Sequence, residues 1–226
     1  MLKRTFALAV ILIIACATSG FAQGKIEATV LGGWSFNDGV SGQAITIPLM
    51  GTYDRVDPKD SALFGLGLGI LFSDNAEGGF QWTRVSSKLA VGGVSFTGTP
   101  DAEIGDMSIQ NYHGYLGYNF GEADAKFRPF LYGGLGATHF GGVDFQTPNR
   151  TGSINGNTQF STTWGAGVKF YPSPKIGLRF TTSWTPTYVK SDASGYWCDP
   201  YWGCYLVGDP QYSNQIQLTG GFTFRF

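Results

Sequence analysis

The residues best suited to chemistry are few and scattered. His113 and His139 are the two histidines, and neither stands in an evident constellation with a serine, an aspartate or a metal ligand, as a hydrolytic or metal centre needs. Gly65-Leu66-Gly67-Leu68-Gly69 and Gly133-Gly134-Leu135-Gly136 superficially suggest a phosphate loop. That chemistry needs a strand, a glycine turn and a helix N-terminus, and here the glycines alternate with leucine inside strands. Cys198 and Cys204 have no histidine nearby and cannot complete a tetrahedral zinc set. No catalytic residue, cofactor or metal is therefore expected. A barrel enzyme of lipase or acyltransferase type would need a serine or histidine site at its loop end, and no such set is evident.

The same two cysteines suit another chemistry. In an oxidising compartment an even count favours a disulfide. Closing so short a loop would restrain it by about 2–3 kcal/mol in the chain-entropy model. Trp197, Tyr201, Trp202 and Tyr205 crowd the same loop. They could form a binding surface on a rigid tip, or fold down onto a rim and protect the loop.

The N-terminus supplies the compartment. Lys3 and Arg4, the apolar run Phe6 to Ala17, and Gly20-Phe21-Ala22 form the three parts of a secretory signal peptide, so residues 1–22 are expected to be removed. The apolar run is too short to span a membrane as a helix. Ile14-Ala15-Cys16 also resembles a lipoprotein processing site, but cleavage after Ala22 gives the better mature start, which discards Cys16. Residues 23–226 then suffice for one all-β domain. Glycine is abundant (34 residues), aromatics reach 15% and charged residues only 14%, against a usual quarter. A net charge of −1 with no basic run gives no field for nucleic acid.

Period-two alternation fills the chain. Ser213 to Phe226 sets Ile216, Leu218, Phe222, Phe224 and Phe226 against Gln215, Gln217, Thr219, Thr223 and Arg225. Similar strands are read at 25–36, 61–72, 79–89, 108–120, 127–140, 158–171 and 176–188. The stretch 127–140 is imperfect, with aromatics on both faces. Short links at 74–78, 121–125 and 172–175 alternate with long ones at 37–60, 90–106, 141–157 and 189–212, as in a membrane barrel with both termini on one side. Residues 44–56 and 90–97 could also be extended. If both joined the wall there would be ten strands, but Pro48 fits poorly in a paired strand, and eight is the preferred count, with these segments standing above the membrane.

Alternation leaves open which medium the apolar face meets. A lipocalin-like soluble carrier would have a charged exterior, roughly 25–35%. Here the polar faces are Gly, Ser, Thr, Asn and Gln with a few charges, Glu27, Lys169, Arg179 and Arg225, which suit the tight interior of an eight-stranded barrel and can pair there. Trp34, Trp82, Trp164, Trp184, Tyr112, Tyr118 and Tyr188 cluster towards strand ends like an interfacial girdle. The apolar rows are therefore expected to face lipid.

The final strand, with Phe222 and Phe224 in register with Phe226, resembles the C-terminal signal of bacterial outer-membrane proteins. Over residues 23–226 the chain is similar to the small outer-membrane β-barrel domain family of OmpA and OmpX type. That resemblance implies an eight-stranded antiparallel up-and-down barrel in the outer membrane, handled by periplasmic chaperones and the barrel-assembly machinery. It does not extend to the peptidoglycan-binding module that follows OmpA-type barrels. The expected role is structural or surface-interacting through the outer loops, without catalysis. A narrow passive channel and a soluble carrier of an apolar ligand are the alternatives.

Overall fold

A computed structural model describes residues 25–47, 51–93, 102–147, 150–189 and 211–226. The wall consists of eight antiparallel strands: β1 (Lys25–Asn37), β4 (Ser61–Leu71), β5 (Ala76–Gly93), β6 (Ala102–Asn119), β7 (Phe127–Phe140), β10 (Asn157–Phe170), β11 (Ile176–Val189) and β12 (Gln211–Arg225). Each pairs with its neighbour in that order, and β12 returns to β1 through Glu27↔Arg225 to Asn37↔Gln215, so the sheet closes without an edge. Closure satisfies every ladder inside the wall, as a sheet in hydrocarbon requires.

Two outer hairpins extend this ring without joining it. β2 (Val40–Ile47) and β3 (Gly51–Pro58) pair with each other, and β3 pairs with the far end of β5 through Val56↔Val91 and Pro58↔Leu89. β8 (Val143–Thr147) and β9 (Arg150–Ile154) form a separate ribbon. The ring therefore holds eight strands, not ten; Pro48 lies outside the described residues. β5 and β6 are longer than the sequence reading, at 18 residues each. Their pairing continues outward because the alternation does, with Val85, Leu89, Met107 and Ile109 all buried on the inner face.

Local chemistry fixes the short turns. In the β4–β5 turn the Ser73 hydroxyl accepts from the Ala76 amide at 3.0 Å, and Asn75 donates to the Asn119 carbonyl at 2.6 Å, tying this turn to the next. Gly121 opens the β6–β7 turn at φ +85°, a left-handed conformation that glycine adopts without a Cβ penalty. In the β10–β11 turn Ser173 caps the Ile176 amide at 3.1 Å.

Burial separates the two faces. Val30, Leu66, Leu68, Leu116, Leu135, Phe180, Leu218 and Phe222 lie exposed on the outside, while Thr29, Asn111, Thr181, Gln215, Gln217 and Thr223 are buried within. On a water-soluble protein so broad an apolar exterior would be an anomaly. Around a membrane barrel it is the lipid-facing band.

Candidate functional site

The lumen is built in three layers. Nearest the short turns is a charged layer. Glu27 on β1 accepts from Lys169 Nζ at 2.7 Å, Arg225 Nη2 at 2.7 Å and the Tyr171 hydroxyl at 2.7 Å. Glu77 on β5 is held by Lys169 as well, by the Tyr115 hydroxyl at 2.8 Å and by Asn119 Nδ2 at 3.1 Å, with Arg179 Nη1 3.7 Å away. Lys169 thus bridges both carboxylates. Burying such charges is tolerable only when each is paired and its remaining hydrogen-bonding capacity is filled. Aromatic faces complete the shell: the Arg179 guanidinium lies 4.5 Å from the Phe130 ring centroid, and that of Arg225 lies 3.9 Å from Tyr171.

The structure thus places Glu27, Lys169, Arg179 and Arg225 together in the lumen. Sequence reasoning missed Glu77, Arg128, Tyr115 and Tyr171. Starting the strand at Gly79 left Glu77 in a turn, although it continues the inward phase of Thr83 and Val85. The aromatics on both faces of β7 have the same explanation, since Phe130 and Tyr132 point inward to the cations, in phase with buried Arg128. Glycine makes room for them: a Cβ at Gly165 would lie 2.5 Å from the Tyr132 ring, and one at Gly167 2.8 Å from Phe130.

Midway along the lumen the groups are neutral. Asn111 donates to Thr83 at 3.2 Å and Gln215 at 3.0 Å, and accepts from Thr138 at 2.7 Å. Thr138 also bonds Ser161 at 2.9 Å, and Thr187 donates to Thr138 at 3.0 Å. His113, expected to stand without a serine partner, lies 2.9 Å from the Ser161 hydroxyl through Nε2. His139 lies instead on the outer face, where it meets Thr158 at 2.9 Å in an exposed contact. Sequence could not show these contacts because the partners sit on different strands. Among the described residues no hydrogen bond joins a carboxylate to the His113 ring, and Ser161 is also bonded by Thr138. No cluster of metal-ligating side chains occurs among the described residues.

The outer layer is apolar. Val40, Tyr53, Val56, Leu63, Val85, Leu89, Val91, Met107, Ile109, Phe140, Val143 and Val189 form one buried cluster across the mouth. The outer hairpins β2–β3 and β8 lend Val40, Tyr53, Val56 and Val143 to it, which is why they fold back over the ring. Trp197, Cys198, Tyr201, Trp202, Cys204 and Tyr205 lie outside the described residues, as does the segment 1–24. Phe222, Phe224 and Phe226 lie on the outward face of β12, where Phe226 is 78% exposed.

A closed antiparallel ring with an apolar exterior and a bonded polar interior defines a transmembrane β-barrel. The model of the outer membrane protein β-barrel domain matches residues 6–226, and the chain belongs to that family, placing it in the bacterial outer membrane. Among solved structures it is similar to outer membrane protein OprG from Pseudomonas aeruginosa, with 15% identity over 88% of this chain and 95% of that one and a TM-score of 0.56. It is also similar to Neisserial surface protein A (10% identity, 90% and 97% covered, TM-score 0.51). A third neighbour is the outer membrane protease OmpT from Escherichia coli (10% identity, 90% and 97% covered, TM-score 0.50). No curated protein matches the sequence. At these identities the likeness concerns the fold alone, and that fold serves a protease as well as a surface protein.

Proposed function

We propose that this protein is a closed outer-membrane barrel acting at the cell surface through its outer hairpins, without catalysis or conduction. One observation carries the reading: among the described residues the inward side chains engage one another in three successive layers, ion pairs, then hydrogen-bonded hydroxyls and amides, then an apolar cluster. Eight strands leave a lumen that side chains just fill, and here they bond to one another instead of lining a water path. The functional surface is then the hairpins β2–β3 and β8–β9 at the outer end of the ring, and the sequence assigns the aromatic, cysteine-bearing segment 190–210 to the same role.

Export by residues 1–22 and a Cys198–Cys204 disulfide belong to the same reading. The test is planar-bilayer recording of the refolded full chain together with protease shaving of intact cells. The expected result is no stepwise conductance above bare lipid, with release of peptides from 94–101 and 190–210. Sustained conductance steps would refute the closed barrel, and peptides arising only after the outer membrane is broken would refute the surface role. N-terminal sequencing should find Gln23 first, and non-reducing mass analysis should show a chain two hydrogen atoms lighter than its reduced form.

A further inference from the structure

The apolar belt is not of even height. Counted from the short-turn end, outward residues are uncharged and mostly apolar from Ile26 to Phe36 on β1, Phe72 to Ala62 on β4, Phe127 to Ala137 on β7, Phe170 to Phe160 on β10, Ile176 to Pro186 on β11 and Phe226 to Ile216 on β12. Each run covers eleven residues. At about 3.4 Å per residue and a tilt near 40° that is about 26 Å of membrane height, close to the roughly 25 Å band of such barrels. On β5 the run covers only the seven residues Ala76 to Trp82, and on β6 the nine residues Phe120 to Tyr112. There the outward positions become Arg84, Ser86 and Lys88, facing Gln110, Ser108 and Asp106 across the ladder. The belt on β5 is about 16 Å high by the same conversion, so it is notched by about 10 Å.

The notch has a floor and walls. Trp82 and Tyr112 are register partners beneath it, and Phe64 packs edge-on against Trp82 at 5.4 Å. Above them opens a groove of about 760 Å³ that includes Lys59, Arg84, Ser86, Lys88, Asp106 and Ser108. Lys88 is committed to Glu103 at 2.8 Å, and Asp60 accepts from the Asn37 amide at 2.8 Å. Among the described residues neither Lys59 nor Arg84 makes an ion pair. With Lys88 and Glu103 paired, two cations outside any ion pair, Lys59 and Arg84, stand on an aromatic ledge beside two carboxylates, Asp60 and Asp106, and the hydroxyls of Ser86 and Ser108.

A cation held at acyl-chain depth is costly, whereas the same cation at headgroup level costs almost nothing. The bilayer resolves the conflict by thinning beside a short belt, which lowers outer-leaflet headgroups onto Arg84. The groove carries as many carboxylates as cations, so what recognises an anionic headgroup there is the pair of cations at that level that make no ion pair, Arg84 and Lys59, not a net positive charge. We propose that the β5–β6 notch is a lipid site for a phosphorylated glycolipid of the outer leaflet. Arg84 and Lys59 take its phosphate, Ser86, Ser108 and Asp106 take sugar hydroxyls, and the acyl chains run down past Trp82 and Tyr112.

The test uses the full chain folded in phosphatidylcholine nanodiscs, alone or doped with diphosphoryl lipid A, its monophosphoryl form, or a fully dephosphorylated form. Lipid A retained through detergent exchange is counted by native mass spectrometry. Wild-type protein should retain diphosphoryl lipid A and lose it progressively as phosphates are removed. Arg84→Ser and Lys59→Ser should each lower retention by about fivefold, and Lys175→Ser, on a turn at the opposite end, should leave it unchanged. Heat-modifiable gel mobility verifies that each variant is folded. Retention that ignores Arg84, ignores the phosphates, or falls equally with Lys175→Ser would overturn the site. Displacement by inorganic phosphate at matched concentration would overturn its assignment to a lipid.

Discussion

Glu27→Gln should be more damaging to the charged layer than loss of the lysine that bridges its centre. Glu27 is 1% exposed and accepts from Lys169, Arg225 and Tyr171. Glutamine keeps the shape and one acceptor but, among the described residues, leaves Arg225 without a carboxylate and Lys169 with Glu77 alone. Removing one partner of a buried pair costs about 3–5 kcal/mol, and the retained amide oxygen places this variant near 3 kcal/mol. Lys169→Met removes charge-assisted hydrogen bonds, worth about 1.5–3 kcal/mol. It leaves each carboxylate with its own arginine, Glu27 with Arg225 and Glu77 with Arg179, so its cost should fall at the lower end. The double variant removes one charge of each sign, so the layer keeps its original net charge although Arg225 loses its carboxylate; it should be less destabilised than the sum of the two, with a coupling of about 1–3 kcal/mol. Reversible urea unfolding of the full chain in lipid vesicles, followed by tryptophan fluorescence, measures all three. A lysine variant at least as unstable as the glutamine variant, or strict additivity, would refute the charge ledger given for this layer.

Leu68→Arg should cost about 2–4 kcal/mol in vesicles, whereas Ser108→Arg, above the belt, should stay within about 0.5 kcal/mol; the same unfolding assay checks both, and equal costs would mean that Leu68 does not face hydrocarbon. Gly165→Ala drives a Cβ to 2.5 Å from the Tyr132 ring and should cost about 1–3 kcal/mol by overpacking, with loss of the near-ultraviolet tyrosine signal if that ring is expelled. The Glu103 carboxyl is held below its usual range by the hydrogen bond from Lys88 and by that ammonium's charge. The pair is therefore intact above the ordinary carboxylate range and lost as pH falls through the lowered midpoint. Carboxyl-carbon NMR should show the Glu103 midpoint rising towards the ordinary value in Lys88→Gln.

What the residues determine alone is the wall. Alternation is a property of each strand by itself, since successive side chains must point to opposite faces, so Ile216, Leu218 and Phe222 against Gln215, Gln217 and Thr223 reveal both faces without any knowledge of neighbours. The short turns read at 74–78, 121–125 and 172–175 are local too, and with the strand lengths they yield eight strands and an outer-membrane barrel. Lumenal Glu27, Lys169, Arg179 and Arg225 follow from phase in the same way.

Which of those charges meet was decided only by closure. Glu27 and Lys169 are separated by 142 positions, and their contact depends on the register and stagger that bring β1 and β10 to face one another across the lumen. Glu77 escaped notice because a strand boundary is set by pairing with β6 as much as by composition, and His113 found Ser161 only because two strands distant in sequence close one ring. The notch on β5 and β6 is likewise a comparison among eight strands. No single segment contains it, because belt height has meaning only once the strands stand side by side in one membrane.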